Sequence, residues 1–458
     1  MKSEIKDFTK GKIMPQLLLF SAPLFLSNLM QVVYNMVDMV VVGQTLGDTG
    51  ISAVSVGGDL SQLLTFVAMG FSNAGQVLIA KYIGAGQKEK IGRFVGTMCS
   101  FLAVSAVIIS ILSIIFQDSL LRLMNTPEDA YIPAAEYSFI CMAGLIFIYG
   151  YNMVSAVLRG MGDSKHPFIF ISFAAVLNLI LDIIFVILFN MGTRGAALAT
   201  VISQATSFIV CSVFLYKKRQ SFELDVNIKD FFVPEREMLS ALVKLGTPMA
   251  IKTASIQLSK LFVNSNINAY GIEVSAFSGI ANKISSISNL ISAAMNTAGS
   301  TLVGQNIAVG DEKRVKDILK ALAVVTLSVS TVITVIFYFA GDTIIGFFAG
   351  GDNSVIAVGE NFFSVAVLLF YASAFRAIMN ALLNGSGNYR VNFATAIFDG
   401  ILMRVGLSVL FGIVLKMDYY GFWLGDAVAG FTPFVIGIVF YLTGSWKKNM
   451  PKKEISPS

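Results

Sequence analysis

Two carboxylic acids and a carboxamide lie in stretches of this chain apolar enough to cross a bilayer. Asp38 sits in QVVYNMVDMVVVGQ, residues 31–44, and Asp182 in VLNLILD, where Asn178 precedes it by four positions. Gln31, Asn35 and Asp38 follow i, i+4, i+7 spacing, which places them along one helix face. Asn178 and Asp182 share a second face by i, i+4 spacing, and Thr200 and Gln204 a third, in GAALATVISQ. A charge at the bilayer centre costs about 3 kcal/mol on insertion scales, so such residues face a protein interior or a cavity and mark function. Convergence of these helices would permit two chemistries. An all-oxygen cluster suits a hard cation such as sodium. Alternatively, desolvation and mutual repulsion turn a carboxyl pair into a proton carrier. Both are coupling-ion sites; the competing reading is a polar network that only packs helices.

The second half of the chain offers different groups. Lys252, Lys260, Lys283, Arg376 and Arg404 fall within apolar stretches, alongside Asp399 and Asp426. Lys252 and Lys283 are expected to snorkel to the interface. Lys260 and Arg404 either pair with Asp399 or Asp426, the favoured reading, or give a basic cavity for anionic groups. Cys99, Cys141 and Cys211 have no metal-ligand spacing and read as packing residues. His166 is the only histidine, so a histidine proton relay is not on offer.

The elements that must position these groups are membrane helices. The chain has 458 residues, of which 55% are hydrophobic and 13% charged, too little polar surface for a soluble protein of this size. Twelve apolar stretches have the length needed to span about 30 Å of hydrocarbon: 14–43, 51–80, 92–117, 132–158, 168–190, 195–216, 239–270, 274–305, 318–346, 355–384, 391–416 and 421–443. The charged start MKSEIKDFTKGK does not read as a cleavable signal peptide. Of 33 Lys and Arg, 25 fall in the termini and alternate loops, which predicts an even number of spans with both ends cytoplasmic. The net charge of +5 is then a topology signal and implies no nucleic-acid partner.

The chain is also written twice. LLLFSAPLFL with Pro23 matches LVKLGTPMAI with Pro248, and AGQVLIAKYIGAGQKEKIGR at 74–93 aligns with AGSTLVGQNIAVGDEKRVKD at 298–317. LRGMGD at 158–163 matches LNGSGN at 383–388, and Glu136 matches Glu360. The expected organisation is an N-terminal six-helix lobe over 1–216, a cytoplasmic linker over 217–238, a C-terminal six-helix lobe over 239–445 and a basic cytoplasmic tail over 446–458. Parallel repeats of this kind are an architecture of secondary transporters. No phosphate-binding loop, metal cluster or nucleophile elbow points to an enzyme. The glycines of RGMGD and NGSGN read as turn residues.

The order Tyr34-Asn35-x-x-Asp38, then RGMGD, then Asn178-x-x-x-Asp182, on a duplicated twelve-helix frame, resembles the multidrug and toxic compound extrusion (MATE) transporters over about residues 10–445. The resemblance implies an all-α, V-shaped, alternating-access transporter of the inner membrane. It would be a monomer without cofactors that exchanges a proton or sodium ion for organic, cationic amphipathic compounds. Within the family, the branch of the DNA-damage-inducible protein F carries its cation site in the first lobe; by motif that site would be Asp38, Asn178, Asp182 and Thr200. The substrate cavity is expected to involve Gln31, Tyr34, Asn35, Tyr137, Asn152, Met153 and Gln204. The sodium-coupled branch places acids in the seventh and tenth helices, where this chain has Ile256 or Gln257 and Ser373 or Ala374. The position matching Asp38 in the second half is Phe262 or Val263. Methionines including Met30, Met36, Met39, Met69, Met153 and Met161 are candidates for an adaptable pocket. A flippase for lipid-linked precursors, suggested by Lys260 and Arg404, is the runner-up.

Overall fold

The computed structural model describes residues 4–225, 228–359 and 362–451. Lys2, Glu360 (the repeat partner of Glu136), two linker residues and the tail from Lys452 onward lie outside the described residues.

Among the described residues the chain forms helices and turns, with no strand. By length and apolarity eight helices qualify as membrane spans, and the pair Glu128–Ala143 and Leu145–Gly160, bent by 51°, makes a ninth. The run Ile13–Gly84 counts once there yet is two helices, because Gly47 breaks it at φ 61° and ψ −151°, a backbone that glycine adopts without strain. Arg236–Asn268 and Ile272–Val309 complete the twelve. Their lower apolarity reflects the Lys, Asn, Ser and Thr residues they carry.

In order the spans are α1 (13–46), α2 (48–84), α3 (Glu89–Ile115), α4 (Glu128–Ala143 with Leu145–Gly160), α5 (Lys165–Leu188), α6 (Gly192–Lys217), α7 (Arg236–Asn268), α8 (Ile272–Val309), α9 (Glu312–Phe348), α10 (Phe362–Gly385), α11 (Tyr389–Val414) and α12 (Asp418–Leu442). Short helices Gln117–Leu123 and Asn353–Val358 precede α4 and α10.

The duplication survives as repeated backbone geometry. Gly86 and Gly310 both take positive φ, 71° and 81°, just past the ends of α2 and α8. Gly162 and Gly387, in RGMGD and NGSGN, do the same at 87° and 64°, confirming turns rather than phosphate loops. Helix contacts repeat as well. A Cβ on Gly160 would lie 2.9 Å from the Gln76 carbonyl oxygen and 2.9 Å from Ile79 Cβ; one on Gly385 would lie 2.8 Å from the Ser300 carbonyl oxygen and 2.8 Å from Val303 Cβ. In each half, the last turn of the fourth span therefore packs backbone to backbone on the second. Small residues permit this approach, and lipid supplies no hydrophobic force to replace it.

The chain divides into two compact units, 1–7 with 22–250 and 8–21 with 251–458. Two of the three crossings fall at Pro23 and Pro248, each of which removes one intrahelical hydrogen bond from α1 or α7, and the third lies between Asp7 and Phe8. In the first unit, α5 runs along α6, and α6 packs on both halves of α4. Residues 217–225 and 228–238 pack into this unit. Phe222 is fully buried in its main apolar core, and Gly92 and Gly96 of α3 leave room only for the backbone near Asp225 and Asp230. In the second unit, α10 is central, packed against α8, α9 and α12. The segment from Phe8 is tied to α8 and α9: Gln305 Oε1 accepts the Phe8 N–H at 2.8 Å, and Arg314 donates to the carbonyls of Phe8, Lys10 and Gly11.

Candidate coupling-ion site

Two helices with wide turns each carry one of the acids. In α5 the α-helix ends at Asp182 and continues as a π-helix over Ile183–Leu188. In α11 a π-helix, Phe398–Met403, contains Asp399. Such segments concentrate at functional sites, because the extra residue per turn redirects side chains.

In the first unit α1, α5 and α6 bring Asp38, Asn178, Asp182 and Thr200 together. The Asn178 amide, with Nδ2 toward the acids, donates to Asp38 Oδ1 at 2.7 Å and Asp182 Oδ2 at 3.0 Å, while its oxygen accepts from the Thr200 N–H at 3.3 Å. Asp38 is 4% exposed and Asp182 0%, and Asp182 Oδ1 has no hydrogen-bond partner. A buried, unpartnered carboxylate oxygen is unstable unless a proton or cation reaches it. The Tyr34 hydroxyl, one turn before Asp38 on α1, is buried and has no hydrogen-bond partner. An apolar cluster of Val41, Val42, Tyr137, Cys141, Val186 and Ala196 lies alongside and keeps the local dielectric low.

Of the cavity residues expected from the sequence, Tyr137 belongs to the apolar cluster beside the acids. Gln31 and Asn35 are exposed and do not join the acids, since the buried stripe of α1 runs through Asp38, Val41 and Val42. Tyr137 packs against Gly57, whereas Asn152 donates at 2.9 Å to Ile148 of its own helix. Met153 and Met161 are core residues of the first unit; Met36 and Met39 are exposed. Gln204 is half-buried, with Oε1 unpartnered.

The second unit carries a different polar centre. Arg404, 1% exposed, pairs with Asp426 and lies 3.4 Å from Asp399. Arg376 reaches the same Asp399 oxygen at 3.8 Å. Lys252 departs from the snorkelling expectation: it is 8% exposed and donates to Asn380 Oδ1 at 2.5 Å. Its position on α7 faces α10, so the ammonium turns inward. Lys283 is exposed, its ammonium 5.7 Å from the Phe348 ring centre. Where the sodium-coupled branch was expected to carry acids, Ser373 bonds Ser288 at 2.5 Å and Ser292 at 3.0 Å. Asn380 had been overlooked; Ser373, Arg376 and Asn380 follow i, i+3, i+7 spacing, a polar stripe that would have flagged it.

The comparisons agree with this architecture. The MatE family model matches twice, at residues 23–184 and 248–410, together well over half the chain and spaced as the internal repeat is. The probable multidrug resistance protein YpnP of Bacillus subtilis (strain 168) is 29% identical over 443 residues, covering 96% of this chain and 97% of YpnP. The probable multidrug resistance protein YoeA of the same organism is 27% identical, covering 96% of each chain. Among solved structures, one of MATE in the bent conformation matches with TM-score 0.87 at 22% identity, over 98% of this chain and 99% of that one. A transporter of the MOP superfamily from Pyrococcus furiosus Vc1, described as having reverse polarity of its binding pocket, matches with TM-score 0.87 at 23% identity, over 97% and 98%. The chain is a multi-pass membrane transporter, not an enzyme, and it belongs to the MatE family of multidrug and toxic compound extrusion proteins.

Proposed function

We propose that this protein is a cation-coupled antiporter that exports organic, cationic amphipathic compounds across the cytoplasmic membrane as a monomer, with both termini cytoplasmic and no cofactor. The carrying observation is the Asn178 amide held between the carboxyls of Asp38 and Asp182 in an apolar surround. Relatives named as multidrug resistance proteins support the export reading.

The amide suggests how an ion is sensed. With Nδ2 toward the acids it bridges them by donating twice. Rotated by half a turn, it would present its oxygen to two carboxylate oxygens, an arrangement that needs a cation or proton among the three. Ion entry therefore changes how α1 is held to α5, and that change competes with substrate. Exchange of one proton for one monovalent drug cation moves no net charge, so the membrane potential, about 2.3 kcal/mol per charge per 100 mV, does no work and the ion gradient drives export alone.

The test is efflux from proteoliposomes under proton and sodium gradients imposed separately. Export driven by one gradient, and lost in Asp38→Asn, supports the proposal; equal export without either gradient overturns it. A second reading, a flippase for lipid-linked precursors, is favoured by the buried basic residues of the second unit. It expects loss of lipid translocation in Lys260→Ala and no response to a panel of cationic drugs.

A further inference from the structure

The second unit gathers more positive charge than it neutralises, on two buried and two half-buried basic side chains. Four basic side chains, Lys252, Lys260, Arg376 and Arg404, gather around two acids, Asp399 and Asp426. Arg404 pairs with both acids and Arg376 shares Asp399 at 3.8 Å, so two carboxylates face four cations. Lys252 is capped by the neutral Asn380 amide. Lys260 forms no hydrogen bond and no ion pair within 4 Å among the described residues; the longer-range fields of Asp426 and Asp399 act on it. Arg376 makes one distant ion pair and a 3.5 Å contact to the Gly430 carbonyl, leaving Nε unpartnered, and Arg404 Nε is unpartnered as well.

A network built only for structure would be close to neutral, because uncompensated charge in a low-dielectric interior costs several kcal/mol. This one carries a surplus of two and exposes an edge, with the side chains of Arg376 and Asp426 20% and 21% accessible. A cluster with two unpartnered guanidinium N–H groups and two ammonium groups suits a phosphate group, which bears a charge of about −1.5 to −2 as a monoester and accepts from arginine in a fork.

We infer that the cluster of Lys252, Lys260, Arg376 and Arg404 binds the phosphate group of an amphipathic ligand, either a lipid headgroup or a free organic phosphate. The site rests on the chain being a transporter but is independent of the coupling site at Asp38. It gives the second unit the charge preference opposite to that of the first.

The test is thermal unfolding of the purified full-length protein in a neutral detergent, titrated with hexyl phosphate, dihexanoyl phosphatidic acid and, as the opposite charge, hexyltrimethylammonium. The expected result is a saturable rise in Tm with one or both phosphates and none with the ammonium. Response to both phosphates identifies free organic phosphate as sufficient; response to phosphatidic acid alone identifies the lipid headgroup. Lys260→Gln and Arg376→Gln each weaken the apparent affinity about tenfold, a loss of about 1.4 kcal/mol, while Lys260→Arg retains it. These positions are chosen because neither holds Asp426 in an ion pair, and a single gel-filtration peak checks that the variants fold. No saturable shift with either phosphate, or shifts unchanged in both folded variants, overturns the inference. Because the assay needs no ion gradient, its failure leaves the Asp38 efflux result standing, and loss of coupling in Asp38→Asn leaves this one standing.

Discussion

The Asn178 amide donates to Asp38 Oδ1 at 2.7 Å and thereby fastens α5 to α1 inside the first unit. One neutral side chain thus links two helices through a buried acid, and under the proposed function that acid changes its partners when an ion arrives.

Asp38→Asn keeps the volume and a hydrogen-bonding capacity but removes the titratable, cation-binding oxygen pair. Gradient-driven efflux in proteoliposomes is expected to fall to the level of protein-free vesicles, with the gel-filtration profile unchanged. Efflux at the parental rate would contradict the assigned role.

Asn178→Leu leaves Asp38 and Asp182 buried and facing each other without a donor between them. An unsatisfied buried group costs about 1–3 kcal/mol, so the unfolding temperature should drop and coupling should be lost together. The discriminating comparison is Asn178→Leu combined with Asp38→Asn and Asp182→Asn, which removes both charges and should recover stability without recovering transport.

Arg404→Gln leaves Asp426 without an ion pair and Asp399 with only Arg376 at 3.8 Å. Breaking a buried ion network by deleting one partner costs about 3–5 kcal/mol. Scanning calorimetry in detergent should show a large loss of Tm, partly restored by adding Asp399→Asn and Asp426→Asn. Arg376→Gln, whose single ion pair spans 3.8 Å, should cost much less.

Gly160→Leu and Gly385→Leu each drive a side chain into the neighbouring backbone, at the carbonyls of Gln76 and Ser300 respectively. Overpacking of this kind costs about 1–3 kcal/mol. Similar losses of Tm are expected for the two variants, since they sit at equivalent positions of the duplicated halves; a marked difference would indicate that one approach is looser than its glycine suggests.

Arg314→Ala removes the donor that holds the carbonyls of Phe8, Lys10 and Gly11. Hydrogen–deuterium exchange should accelerate over residues 8–16 and remain unchanged in α3 and α4 of the other unit.

Several features of this protein are one-dimensional and were settled by sequence alone. Long apolar stretches compel membrane helices, because backbone polar groups in hydrocarbon must bond within their own segment. Gly86 with Gly310, and Gly162 with Gly387, mark the duplication because each occupies a positive-φ turn that disfavours other residues. Asp38 and Asp182 stood out because acids in such stretches are costly. Which polar residues meet depended on how each helix is rotated and where it bends, and local periodicity does not specify either. Gln31 and Asn35 share a helix with Asp38 yet stay outside, since the packing stripe of α1 passes through Val41 and Val42. Lys252 looked able to snorkel to an interface, but the close packing around α10 turned it inward to Asn380. Only the tertiary structure placed the Asn178 amide between two acids and gathered four basic side chains around two carboxylates.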